Sequence, residues 1–237
     1  MSIKAVLFDL DGTLLPMDQE VFVKAYFGGL VKALAPHGYE PSGLVDAIWT
    51  GTAAMIKNDG SKTNEERFWE RFASIYGEKA RADEPCFEAF YESESGFDRV
   101  RDVLGFTPEA KELISLIKAK GIRVALATNP IFPAIATEKR IAWAGLSPSD
   151  FELYTTYENS RFCKPNLAYY GDILNKLGLK GEECLMVGND VGEDMIAKNL
   201  GMKVFLLTDC LINKTDKDIS DFPHGSFPEL KSFIEEL

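Results

Sequence analysis

The chain has 237 residues, of which 46% are hydrophobic and 27% charged, a composition typical of a soluble globular protein that buries a substantial core. Its 37 acidic and 26 basic side chains give a formal charge of -11, which opposes binding to nucleic acid phosphates and anionic membrane surfaces. The same charge opposes a phosphorylated small molecule, so a phosphate site here requires a metal ion or local cations.

The first predicted element is a short buried strand at residues 5–8, which is followed directly by Asp9, Asp11 and Gly12. Side chains two positions apart on a strand point to the same side, so the two carboxylates are predicted to lie together. Carboxylates at the end of a buried strand are costly unless they are paired or bound to a cation, and such oxygen ligands suit Mg²⁺. A surface turn rich in aspartate and glycine is the alternative interpretation.

Residues 16–105 contain no convincing buried strand and carry apolar and aromatic residues at helical spacing. Phe22 and Tyr26 belong to one such stripe, and Phe68 and Phe72 belong to another. We therefore predict an all-helical insertion, in which these aromatic residues pack in a core rather than stack on a cofactor.

Strands and helices alternate in the second half of the chain, which predicts a doubly wound α/β fold with a parallel sheet. Helix ends are marked by Thr107 as an N-cap and by Gly178 and Gly201 beyond two C-termini. The predicted strands are residues 122–127, 151–155, 184–187 and 203–207, and the predicted helices are residues 107–120, 165–177, 192–200 and 228–237.

Three further polar elements follow predicted strands at the same relative position as the first carboxylate pair. Thr128 and Asn129 follow the second strand, Lys164 follows the third, and Asp190 and Asp194 follow the fourth. In an open α/β sheet, strand ends near the reversal of strand order form the ligand crevice, so these side chains are predicted to converge. Such a convergence is what a phosphoryl site requires.

These four elements, in this order, resemble the four motifs of the haloacid dehalogenase-like superfamily, within its phosphatase branch with a helical cap. The motifs span Asp9 to Asp194. The resemblance implies a Rossmann-like core formed by residues 1–15 and 106–237, with residues 16–105 as an inserted helical cap. It also implies the strand order five, four, one, two, three.

The resemblance further implies a role for each residue. Asp9 is the nucleophile that becomes an aspartyl phosphate, and its carboxylate also binds Mg²⁺. Asp11 is the acid-base residue that protonates the leaving oxygen, and its backbone carbonyl binds the metal. Lys164 neutralises the phosphoryl group and the charge of the nucleophile. Thr128 and Asn129 hold the phosphoryl oxygens.

The fourth motif departs from the pattern of many relatives, in which an aspartate follows the glycine directly. Here Asn189 stands between Gly188 and Asp190, although the spacing from Asp190 to Asp194 is intact. The resemblance implies that Asp190 and Asp194 complete the magnesium site, with Asp190 as the direct ligand. Glu193 is interpreted as a solvated acid at a helix start.

The predicted function is magnesium-dependent hydrolysis of a small phosphomonoester, but three alternatives stay open. Phosphomutases of this superfamily often carry valine or isoleucine where this chain has Thr13, which favours hydrolysis. Phosphonate cleavage needs an imine-forming lysine from the cap, and Lys24 and Lys32 are candidates. A catalytically silent binding protein has no chemical reason to keep the carboxylates clustered. Dehalogenases lack an equivalent of Asp11, so dehalogenation is disfavoured.

The remaining expectations concern location and partners. The four cysteines are scattered without a C-x-x-C pair, the N-terminus has no export pattern, and apolar runs stay far below the roughly 20 residues that span a bilayer. We expect a cytoplasmic protein whose partner is a small phosphorylated substrate, with neither nucleic acid nor membrane as a partner. The sequence does not predict an oligomeric state.

Overall fold

A parallel sheet runs through the computed structural model, which describes residues 2–237. Its strands are short and apolar because both faces are covered. They are β1 (Ala5–Phe8), β2 (Arg123–Leu126), β3 (Leu153–Tyr154), β4 (Cys184–Gly188), β5 (Lys203–Leu207) and β6 (His224–Gly225). Across the described sheet the order is β3, β2, β1, β4, β5, β6, and every neighbouring pair is parallel. The predicted order of the first five strands is therefore confirmed.

Five α-helices lie between β1 and residue 105 of the described chain. Thr63 begins the third of them through a capping box with Glu66, which satisfies backbone donors at that terminus. These helices are α1 (Gln19–Leu34), α2 (Pro41–Ile56), α3 (Asn64–Tyr76), α4 (Glu78–Ala82) and α5 (Glu84–Glu92), and a 3₁₀ helix (Phe97–Val103) follows them.

The helices that cover the sheet come after residue 105. They are α6 (Glu109–Ala119), α7 (Ala134–Trp143), α8 (Leu167–Leu177) and α9 (Phe227–Glu235), with a 3₁₀ helix (Met195–Leu200) where the sequence predicts a longer helix. Gly178 and Gly201 end their helices in left-handed conformation, as expected. The predicted N-cap at Thr107 is wrong, because its hydroxyl donates to the Glu109 side chain and Pro108 occupies the cap position.

Alternate residues of β1 face two separate hydrophobic clusters, which is why the strand is apolar throughout. Val6 and Phe8 pack with residues of α6, α7 and α9, whereas Ala5 and Leu7 pack with residues of α8. Helices therefore cover both faces, and the fold is the doubly wound α/β architecture predicted from the alternation.

The division into a core (residues 1–15 and 106–237) and a cap (residues 16–105) stays a prediction. The cluster that contains Phe8 also includes Leu30 and Phe72 from the helical segment, so apolar contacts continue from one part to the other. In the described chain, the helices fall short of the length and apolarity needed to cross a membrane.

Phe72 is a fully buried ring at the centre of the helical segment. Its centroid lies 6.1 Å from that of Tyr39, 5.7 Å from Phe68 and 5.4 Å from Phe87. We expect Phe72→Ala to lower the free energy of unfolding by about 3–5 kcal/mol, because it leaves a cavity among these rings. Ile75, on the same helix but 47% exposed, provides the control: Ile75→Ala should change stability by only about 0.5 kcal/mol. Equal losses in urea unfolding would contradict this packing.

Candidate active site

The polar residues predicted to converge lie around one cavity over the carboxyl ends of the strands. Asp9 follows β1 directly, Asn189 follows β4 directly, and Thr128 lies two positions beyond β2. The cavity has a volume of about 690 Å³ and extends from these strand ends to the helical segment. Its lining includes Asp9, Asp11, Thr128, Asn129, Asp190 and Asp194.

Lys164 lies outside that lining, but its ammonium group joins two of the carboxylates. Nζ donates to Asp9 Oδ1 at 2.8 Å and to Asp194 Oδ1 at 2.6 Å, and all three side chains are buried. Burial opposes the charged form of Lys164, yet the two carboxylates raise its pKa well above the usual value. Burial raises the pKa of Asp194 to about 7, although Lys164 opposes that shift. The lysine is therefore charged and held rigidly beneath the cavity.

The turn after β1 brings Asp9 and Asn189 together. Gly12 has φ 84°, and a Cβ at this position would collide with the Asn189 side chain, so glycine is required there. The Thr13 hydroxyl lies 3.2 Å from Asp9 Oδ2 and 3.3 Å from Asn189 Oδ1, and it donates its proton to one of the two at a time. The second oxygen of Asp9 thus has a neutral partner.

The loop after β4 uses its aspartates largely to hold its own shape. Asp190 Oδ1 accepts the backbone N–H groups of Gly192 (2.7 Å) and Glu193 (2.9 Å). Asp194 Oδ2 accepts the backbone N–H of Asp190 at 3.0 Å, while its Oδ1 is bonded to Lys164. Both oxygens of Asp194 are therefore engaged.

Asn129 connects three of the four sequence motifs. Its Oδ1 accepts the backbone N–H of Lys164 at 3.3 Å, and its Nδ2 donates to Glu193 Oε2 at 2.9 Å. The interpretation of Glu193 as a solvated acid is wrong, because the side chain is half-buried and burial raises its pKa. Thr128 is buried at the cavity wall, beside these contacts.

Sequence reasoning missed Arg140, a fully buried arginine on α7. Its Nη1 forms an ion pair with Asp11 Oδ2, and its guanidinium lies 4.5 Å from the centroid of the Phe132 ring. The signal was present in the sequence. Ala136, Arg140 and Ala144 are spaced four apart, so the arginine falls on the buried stripe of its helix.

The second oxygen of Asp11, Oδ1, is buried and has no hydrogen-bond partner among residues 2–237. Burial raises the pKa of this carboxyl, Arg140 lowers it, and the neighbouring Asp9 raises it again. Asp11 is thus held through one oxygen by a permanent cation, while its other oxygen stays unbonded beside the cavity.

Within residues 2–237, no group of three or more His, Cys, Asp or Glu side chains is arranged to hold a metal ion. Of the four predicted metal residues, Asp9 and Asp194 are joined by Lys164, and Asp11 is joined to Arg140. The donors at the strand ends are nevertheless carboxylate, amide and carbonyl oxygens. This donor set fits a hard cation that keeps several waters, which is the binding mode of Mg²⁺.

Comparison with known proteins identifies a family and several relatives. The family model for haloacid dehalogenase-like hydrolases matches residues 3–201. The chain is 29% identical to glyceraldehyde 3-phosphate phosphatase of Methanocaldococcus jannaschii over 132 residues, which is 55% of this chain and 57% of the relative. It is 27% identical to phosphoglycolate phosphatase of Vibrio parahaemolyticus over 210 residues, which is 87% of this chain and 84% of the relative. The chain spans about half the length of the two archaeal glyceraldehyde 3-phosphate phosphatases it matches.

Solved structures share the fold over nearly the whole chain. One is a 2-haloacid dehalogenase from Pseudomonas syringae, with a TM-score of 0.65, 18% identity and 99% of each chain covered. Another is the hydrolase YfnB of Bacillus subtilis bound to magnesium, with a TM-score of 0.55, 16% identity and 99% of each chain covered. At these identities the similarity concerns the fold alone.

The pair formed by Arg140 and Asp11 yields a thermodynamic prediction. Arg140→Met should lower the free energy of unfolding by about 3 kcal/mol, because it leaves a buried carboxylate without its partner. Asp11→Asn should also destabilise the protein, since it leaves the buried guanidinium unpaired. In urea unfolding, the double variant should lose at least about 1 kcal/mol less than the sum of the single losses. Strictly additive losses would show that the two side chains do not interact.

Proposed function

The chain belongs to the haloacid dehalogenase-like hydrolase family, and from this premise we propose that it is a magnesium-dependent phosphatase of small phosphomonoesters that acts through an aspartyl phosphate on Asp9. The observation that carries the proposal is the buried Lys164 ammonium, bonded to Asp9 and Asp194 beneath the cavity. A carboxylate held beside a permanent cation accepts a dianionic phosphoryl group with far less repulsion than a carboxylate alone.

In the proposed first step, an Asp9 carboxylate oxygen attacks phosphorus and the bond from phosphorus to the ester oxygen breaks. Asp11 supplies a proton to the departing alcohol oxygen, using the Oδ1 that has no partner in the structure. Burial and the neighbouring Asp9 raise the pKa of Asp11, which helps it to hold the proton that this step transfers, whereas Arg140 lowers that pKa.

In the proposed second step, Asp11 takes a proton from water, whose oxygen attacks the phosphorus of the aspartyl phosphate. The acyl phosphate bond breaks, and Asp9 returns as a carboxylate with inorganic phosphate as the product. Lys164 balances the negative charge that gathers at the phosphoryl group in both steps, and Thr128 and Asn129 position its oxygens.

We assign Mg²⁺ to the Asp9 carboxylate, the Asp11 backbone carbonyl and Asp190. When bound, the cation supplies charge neutralisation and polarises the phosphoryl oxygens. Both oxygens of Asp194 are engaged, so we assign it an indirect role, in which it holds Lys164 and the loop after β4. YfnB, which shares the fold, is known with magnesium bound, and this supports the choice of metal.

The alternatives receive less support. Lys24 and Lys32 are exposed and lie outside the cavity lining, so neither is positioned to form an imine for phosphonate cleavage. The likeness to a 2-haloacid dehalogenase concerns the fold, and the paired Asp11 favours phosphate chemistry over dehalogenation. A phosphomutase would use the same phosphoryl machinery, and product analysis distinguishes it.

We expect the purified protein to hydrolyse p-nitrophenyl phosphate in the presence of MgCl₂ and to lose this activity when EDTA removes the metal. Asp9→Asn should lower kcat by at least about 10³-fold, because an amide oxygen is a poor nucleophile and a weak metal ligand. Release of p-nitrophenolate measured by absorbance provides the test.

The matched control is Asp221→Asn, the same chemical change at an exposed position away from the cavity, which should leave kcat unchanged. Full activity of the Asp9→Asn protein would remove Asp9 from its role as nucleophile. Interconversion of sugar phosphates without release of inorganic phosphate would identify a mutase.

A further inference from the structure

The cavity is much larger than a phosphoryl group, and the part that extends over the helical segment has an aromatic wall. Rings from α1, α3, α5 and two loops of the second half contribute to it. These residues are Phe22, Tyr26, Trp69, Phe87, Phe132 and Tyr157. Trp69 is 3% exposed, and its indole ring lies beside Tyr157. The space beside the phosphoryl site is therefore large enough to take the leaving group of a substrate.

Glutamate side chains stand among these rings. The backbone N–H of Glu65 donates to the carbonyl oxygen of Tyr157 at 3.0 Å, which brings Glu65 next to Glu158. Glu158 Oε1 accepts the backbone N–H of Ala134 at 2.8 Å, whereas its Oε2 is buried without a partner. Burial raises the pKa of Glu65, and Glu158 and Glu84 raise it further, whereas Arg81 lowers it. Several carboxylates therefore lie along this wall, and not all of them have a cationic partner in the protein.

Two arginines lie against rings of this wall: the Arg140 guanidinium is 4.5 Å from the centroid of Phe132, and that of Arg81 is 5.7 Å from the centroid of Trp69. Glu84 has a partner in Arg81 at 3.5 Å, on the exposed side of the helices, and Glu88 and Glu92 add two further carboxylates to the lining. Among the described lining residues, Lys214 is the one with a cationic side chain. A leaving group that carries a carboxylate or a second phosphate would meet repulsion here.

Resting on the proposed phosphatase activity, we propose that the substrate is a phosphomonoester whose alcohol carries an ammonium group, which binds among the aromatic rings and glutamates over the phosphoryl site. Aromatic faces attract cations through their negative quadrupole, and nearby carboxylates add a direct ionic attraction. The site then has opposite polarity at its two ends, with Lys164 and the metal facing the phosphoryl group and the glutamates facing the ammonium group.

The test uses two probes of the same shape. Phosphocholine carries a quaternary nitrogen, and 3,3-dimethylbutyl phosphate has a neutral carbon in its place. We expect kcat/KM for phosphocholine to exceed that for the neutral probe by about tenfold, with phosphoglycolate the poorest substrate of the three. Calorimetric binding of the same compounds to the Asp9→Asn protein should follow the same order, independently of turnover.

Glu158→Gln keeps the acceptor for the Ala134 N–H but removes the charge, so it should reduce the preference for phosphocholine over the neutral probe by about threefold. Glu235→Gln, the same change at an exposed position on α9, should leave this preference unaltered.

The ammonium site is overturned if the neutral probe or phosphoglycolate binds and turns over as well as phosphocholine or better. Hydrolysis of p-nitrophenyl phosphate by the same protein would still support the phosphatase proposal. If the protein hydrolyses none of the phosphomonoesters but binds phosphocholine tenfold more tightly than the neutral probe, the ammonium site is supported and the phosphatase proposal is contradicted.

Discussion

The hydrogen bonds of one buried ammonium group determine how the loops of the site are arranged. Lys164 Nζ lies between Asp9 and Asp194, and each of the three side chains would be strongly unfavourable in this place without the others. Because these three side chains must be paired, the loops after β1, β3 and β4 meet at Lys164. The Asp194 side chain also holds the backbone of Asp190, so the same network shapes the loop after the fourth strand.

The two ends of the cavity are therefore lined by different groups, which suit different parts of a substrate. The strand ends supply charged groups whose partners are fixed by the sheet, and they suit a phosphoryl group whose shape is the same in every substrate. Helices α1, α2, α3 and α5 supply rings, and α3 and α5 also supply glutamates, which suit the variable part of a ligand. Arg140 connects the two regions, because its guanidinium pairs with Asp11 at the strand ends and lies over the Phe132 ring of the aromatic wall.

The sequence predicted the strands and the motif positions because buried parallel strands are short apolar runs. The polar residues that follow these runs are easily recognised. It did not predict β6, whose two residues, His224 and Gly225, carry no apolar signal. Helix α7 was missed because the N–H group of its first residue, Ala134, donates to Glu158, a partner distant in the chain. Sequence spacing placed Asp194 near the site, but only tertiary structure reveals that both its oxygens are engaged. The aromatic stripes were predicted as core, and they divide between core rings such as Phe72 and cavity rings such as Trp69.

In the proposed mechanism, Asp9 itself carries the phosphoryl group during turnover. The most direct measurement is to mix the protein with Mg²⁺ and excess phosphomonoester, quench in acid within the first turnovers, and map phosphorylated peptides by mass spectrometry. The proposed mechanism requires a phosphate on the peptide that contains Asp9, stable in acid and released by hydroxylamine as expected for an acyl phosphate. Steady turnover with phosphate on another residue, or with none bound to the protein, would contradict it.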